Sequence, residues 1–110
     1  MTVQHRRPDR VADSDDLDAA IAGADRVLVL FYTTGCSLCQ AIEPVVGNVA
    51  RDTGVPVVMV NPGDDIGLVD EWAIRSVPTL VLVEGGTEVG RLADGFQGGD
   101  AIEAFIADHA

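Results

Sequence analysis

Lysine is absent from this sequence, and cysteine, tryptophan and tyrosine are scarce: two Cys, one Trp and one Tyr in 110 residues. Two cysteines are too few for a disulfide scaffold, so the fold must rest on an apolar core. A chain of this length buries roughly 60–70% of its unfolded surface, and a 47% hydrophobic composition can fill that interior. No apolar run approaches the ~20 residues of a membrane span; the longest, VLVLFY, has the length of a strand. The opening MTVQHRRPDR has no apolar stretch behind its arginines, so no secretory leader is expected and a cytoplasmic location is. Repeats and low-complexity linkers are also missing. The expectation is a mobile N-terminal arm, residues 1–10, leading into a short first strand near Val11–Ala12, and a single domain, residues 11–110.

The charge is one-sided. Eighteen Asp and Glu face seven cations, all arginine, for a net charge of −11. That balance excludes nucleic acid and anionic membrane as partners. It also makes the folded chain repel itself, a penalty that molar salt removes by cutting the Debye length to about 3 Å. An acidic, lysine-free surface of this kind suits a halophile's cytosolic protein.

What is present reads as alternating helices and strands. Asp13 or Ser14 caps a helix whose first turns carry Asp15, Asp16 and Asp18, acids that suit the positive end of the dipole. Leu17, Ala20 and Ile21 form its apolar stripe. Val27 to Tyr32 is a continuous apolar run, as in a strand covered on both faces. From Cys36, residues Leu38, Cys39, Ile42, Val45, Val46 and Val49 recur at helical spacing, with Gly54 as the stop and Pro44 inside. Val55 to Asn61 is a second apolar strand. Pro62–Gly63–Asp64–Asp65 is a turn with an aspartate free to cap a short helix through Trp72. Thr79 to Val83 and Thr87 to Ala93 flank Gly85–Gly86 as a hairpin, and Gly98–Gly99 is a loop before a last helix at Asp100 to His109. The pattern predicts an α/β domain: a central mixed β-sheet with helices on both faces.

The two cysteines stand in Gly35-Cys36-Ser37-Leu38-Cys39, where the first strand runs into a helix. Cys36 falls at the helix start, where free amides and the dipole favour a thiolate. Cys39 lies one turn inward, on the core side with Leu38 and Ile42, close enough for the pair to close a disulfide ring. An exposed acidic sulfur beside a shielded one is what thiol–disulfide exchange requires. A metal site is the competing reading, but it wants four ligands. No second CxxC exists, and His5 and His109 sit in terminal segments as solvated tails, which leaves only a metal shared between two chains.

At this point the chain resembles the thioredoxin family from about Val11 onward. Phe31 matches a core phenylalanine before the active site, Cys36 and Cys39 the redox pair, and Pro44 a proline within the following helix. WAIRSVPTLVLVEGG resembles the stretch around the family's cis-proline, which implies that role for Pro78 with Val77 before it. Gly86 and Gly95 match the hairpin glycine and the glycine after the last strand. The resemblance implies a thioredoxin-like fold and a protein disulfide reductase acting through a redox-active Cys36–Cys39 disulfide, with no bound cofactor and no metal. In that scheme Cys36 is the nucleophile and Cys39 the resolving thiol. Gly35, Ser37, Leu38, Val77, Pro78 and Gly95 contact the substrate, an extended segment paired as an added strand. Disulfide-containing proteins would be the targets, and a thioredoxin reductase or a small-thiol reductant the electron donor.

Departures from the family pattern raise questions of mechanism. The usual Trp-Cys-Gly-Pro-Cys lacks its tryptophan and proline here. The family's buried aspartate falls at Leu30, and the lysine often paired with it at Val58 or Met59. Cys39 therefore has no buried acid to take its proton, and Glu43, four residues on, is either a substitute base or a plain surface acid. Trp72 is expected to pack near the Pro78 loop, and Arg75 to be a solvated rim residue. Two rival readings stay open: a glutaredoxin-like exchanger with small thiols, for which YTTGCSLC has the flavour, and a thioredoxin-fold binding module whose cysteines no longer turn over.

Overall fold

The computed structural model describes residues 8–109. Its elements run β1 (Asp9–Val11), α1 (Ser14–Ala22), β2 (Arg26–Phe31), α2 (Ser37–Thr53), β3 (Val57–Val60), α3 (Gly67–Glu71), β4 (Thr79–Glu84), β5 (Thr87–Leu92) and α4 (Gly99–Asp108). The five strands form one sheet in the order β1-β3-β2-β4-β5. β1 and β2 flank β3 in parallel, while β4 runs antiparallel to both β2 and β5, so the sheet is mixed as expected.

Alternation along the central strands divides the core in two. Leu28, Leu30, Val57, Met59, Leu80 and Leu82 face Ile42, Val46 and Val49 of α2 and Ile102, Phe105 and Ile106 of α4. Val27, Val29, Phe31, Val58, Val60, Val81 and Val83 face Leu17 of α1 and Leu68 of α3. Side chains two apart share a sheet face, so a strand clothed on both faces must be apolar throughout, which is why β2 reads as an unbroken apolar run. Leu30 is fully buried, and that burial contributes roughly 2–3 kcal/mol.

Helix ends follow their local chemistry. Asp13 caps α1 by accepting from the Asp16 amide at 2.9 Å, an interaction worth about 1 kcal/mol. Gly54 ends α2 in the left-handed region at φ 75°, where its missing Cβ avoids strain. Gly85 and Gly86 both have positive φ and close the β4–β5 hairpin.

Four expectations need correction. The arm expected at residues 1–10 overlaps β1: Asp9 and Arg10 pair in register with Val58 and Met59, while the rest of the arm, with His5, lies outside the described residues. The short strand expected near Val11–Ala12 is present but begins two residues earlier, at Asp9, because three residues with one apolar side chain have no periodicity to fix its start. Asp65 does not cap α3, which begins after Ile66 without a side-chain cap. Its carboxylate accepts instead from the Ser14 amide at 3.0 Å, serving the free donors at the start of α1, which tertiary packing brings close. His109 is not a solvated tail: its ring packs edge-on to Phe105 at 4.8 Å and bonds the Phe105 carbonyl one turn back. Leu38 is not in the core either. It is 47% exposed, while Cys39 in the same turn takes the buried side.

Candidate active site

The path from β2 into α2 positions both sulfurs. Strand β2 ends at the fully buried Phe31, and the Tyr32 amide still bonds the Val60 carbonyl at 3.1 Å. The chain then turns through Gly35, whose φ of 82° a side chain would strain. Cys36 follows as the N-cap of α2, with extended backbone. Its Sγ accepts from the Cys39 amide at 3.2 Å, where a capping serine or aspartate would place an oxygen.

This geometry separates the two thiols electrostatically. The Cys36 pKa is lowered first by the Cys39 thiol, which donates to its sulfur, then by the Cys39 and Leu38 backbone amides. Cys39, only 3% exposed, is pushed up to about 11, chiefly by burial and then by the neighbouring Cys36 sulfur. Both cysteines are free thiols. The more exposed sulfur is therefore the more acidic of the two, and the buried one is held as a thiol.

Two hollows meet at Thr33, between β2 and the cysteine pair. A groove of about 280 Å³ is lined by Thr33, Pro62, Ile66, Ile74, Arg75 and Val77, among others. The Val77–Pro78 peptide bond is cis, and Pro78 leads into β4 beside the end of β2, where Thr79 pairs with Phe31. The Thr79 hydroxyl donates to the Ser76 carbonyl at 2.7 Å and ties this loop down. A second pocket of about 200 Å³ is lined by Arg10, Tyr32, Gly35, Cys39, Gln40 and Glu43. Thr33 borders both hollows, so the Val77 loop and the cysteines adjoin there.

Of the expected substrate-contact residues, Gly35, Ser37 and Leu38 surround Cys36 at the helix start. Gly95 has a positive φ, and a Cβ on it would lie 3.7 Å from Leu38 Cδ1, so Leu38 and Gly95 are neighbours despite their separation in sequence. Trp72 packs on Phe31 with ring centroids 5.5 Å apart, in the cluster that includes Val77, as expected. Arg75 is exposed on the groove.

Several residues at this end of the fold escaped sequence reasoning. Phe96, next to Gly95, is 46% exposed; an aromatic in a glycine loop was the available signal. Arg91 donates to the carbonyls of Trp72 at 2.9 Å and Ala73 at 3.2 Å, bracing a turn in which Ala73 has φ 52°. Glu88 bonds the Arg91 guanidinium from the same strand and fixes its direction. Arg10 left no signal, since it looked like part of a basic arm.

Among the described residues, no group of three or more His, Cys, Asp or Glu is placed to hold a metal ion. Nor is any helix among them long and apolar enough to cross a membrane.

Comparison with known proteins agrees with the geometry. A family model described as Thioredoxin matches residues 10–108. A thioredoxin from Alicyclobacillus acidocaldarius is 34% identical over 91 residues, covering 81% of this chain and 86% of that protein. A thioredoxin from Pyropia yezoensis is 35% identical over 57% of this chain and 61% of its own length. Among solved structures, a single-substitution variant of a thioredoxin from Halobacterium salinarum superposes with a TM-score of 0.91. It has 32% identity, and the match covers 99% of this chain and 96% of that one.

Proposed function

This chain belongs to the thioredoxin family, a thiol–disulfide oxidoreductase by that membership, and from that premise we propose how it works. It is a protein disulfide reductase in which Cys36 attacks and Cys39 resolves. The observation that carries this reading is the capped, acid-shifted Cys36 sulfur one turn from a shielded Cys39 thiol. In the first step Cys36 thiolate displaces one sulfur of a target disulfide, forming a mixed disulfide and releasing a target thiolate. Cys39 then loses its proton and attacks Cys36 Sγ. The Cys36–Cys39 bond forms, the bond to the target breaks, and the second target sulfur leaves as a thiolate. Two electrons pass to the target, and a reductase or small thiol restores the dithiol. The target segment lies along Val77–Pro78 and is flanked by Gly35, Ser37, Leu38 and Gly95.

No cation is among the groups that lower the Cys36 pKa; all are neutral donors. A reductase of protein disulfides must hold its pair at a potential below that of the glutathione pool. The test is equilibration of the pair in glutathione buffers. The midpoint should lie below the cytosolic glutathione poise, about −220 to −260 mV. A midpoint on the oxidising side would make the protein a disulfide donor.

We also assign the protein to a reducing, salt-rich cytoplasm. The lysine-free composition and net charge of −11 support the salt-rich part of this reading. Screening of that charge should raise the thermal midpoint by at least several degrees between dilute buffer and molar salt. A shift smaller than a few degrees would remove the halophilic reading.

A further inference from the structure

Resolution requires that Cys39 lose a proton, yet Leu30, at the position matching the family's buried acid, is a fully buried hydrocarbon. Met59, the β3 partner of Leu30, is buried too, and neither side chain can accept a proton. The other route from Cys39 is the pocket it lines with Arg10, Tyr32, Gln40 and Glu43, large enough to admit water.

We propose that Glu43 is the proton acceptor for Cys39, acting through a water in this pocket, with Arg10 as the positioning residue that holds its carboxylate. The reading rests on Cys39 being the resolving thiol. Glu43 follows Cys39 by four residues in α2, so the two share a helix face one turn apart. Helical side chains lean toward the N-terminus, which carries Glu43 back over the turn that holds Cys39. Arg10 Nη2 donates to both carboxylate oxygens, at 2.8 and 2.9 Å, and its guanidinium lies 5.2 Å from the Tyr32 ring centroid. Each carboxylate oxygen keeps a second lone pair for water. As a surface ion pair this contact contributes little to stability; it fixes a carboxylate on the wall of a hollow that Cys39 also lines. Arg10 is in register with Met59, so the charged pair stands one strand outward from the apolar Leu30–Met59 pair.

The proton path balances. The Cys39 S–H proton passes to water as that water gives one to Glu43, and the thiolate formed attacks Cys36 Sγ. The departing target thiolate or bulk solvent later takes the proton from Glu43. Among the described residues, the ionisable groups on the two hollows Glu43 lines are Arg10 from β1, Tyr32 beyond β2, and Cys39 and Arg51 from α2.

The test uses the full chain and a symmetric nitrophenyl disulfide that releases one coloured thiolate on Cys36 attack and a second on ring closure. In Glu43→Gln the first release should be unchanged and the second slowed about tenfold. That is less than the 10²–10⁴ of a directly placed base, because a water intervenes. Without the relay, ring closure should climb about tenfold per pH unit for as long as Cys39 remains a thiol, whereas the wild type stays nearly flat. Acetate should restore part of the lost rate. A purely electrostatic carboxylate predicts the opposite sign, since removing its charge eases Cys39 ionisation. Ring closure that is unchanged or faster in Glu43→Gln overturns the relay and leaves the two-cysteine mechanism standing. A second release at wild-type rate in Cys39→Ser would instead overturn the mechanism on which the relay rests.

Discussion

Cys36→Ser should lower the rate of protein disulfide reduction by about 10³ or more, with the fold intact. The hydroxyl stays protonated near neutral pH and forms no bond to sulfur that could be exchanged. Stability is the usual confounder in such a test, and the position of Cys36 removes it. The residue is the N-cap of α2, and serine is among the preferred N-caps. The variant should therefore start its helix at least as well as the wild type, with an unchanged or slightly higher thermal midpoint. Turnover of a disulfide-linked two-chain protein, with a small dithiol as donor, measures the loss. A residual rate above a tenth of wild type would place the nucleophile elsewhere.

Cys39→Ser should separate attack from resolution. The Cys36 sulfur keeps its backbone donors at the helix start, and a serine hydroxyl can still donate to it, so the first step should proceed within a few-fold of the wild-type rate. Nothing then displaces the target from Cys36, and the mixed disulfide should accumulate. Steady-state turnover should fall about 10²-fold or more, with escape only through external thiol. The same variant discriminates the glutaredoxin-like alternative. If it exchanges mixed disulfides with small thiols at the wild-type rate, chemistry at Cys36 alone is sufficient for that substrate class. Full turnover on protein disulfides without Cys39 would end the two-cysteine account.

The layers of the fold were legible because the pattern has a single physical reading. Residues Val27 to Phe31 are apolar on both faces, as a central strand must be, and Ile42, Val46 and Val49 repeat at the period of a buried helix stripe. The site was legible at its centre, since a CxxC where strand runs into helix sets cap, burial and spacing together. What escaped was set by tertiary contact. Periodicity alone places Leu38 on the core face of α2, and only tertiary packing decides that it stays exposed. Asp65 looked like the cap of the nearest helix in sequence, but the donors it meets belong to α1, 51 residues away. Arg10 and Arg91 carry no local signal, because what they do depends on Glu43 in one case and on the carbonyls of Trp72 and Ala73 in the other. The displacement of the acid from Leu30 was visible, but the pocket that offers Glu43 as its replacement was not.

The most direct measurement is a peptide map of the trapped adduct. Cys36→Ser and Cys39→Ser are each mixed with a disulfide-bearing protein, quenched in acid and digested under non-reducing conditions. The account predicts a target peptide joined to Cys36 in the Cys39→Ser protein within seconds. It predicts almost none joined to Cys39 in the Cys36→Ser protein, where the remaining thiol is 3% exposed and burial raises its pKa. Comparable adducts at both sulfurs would contradict it.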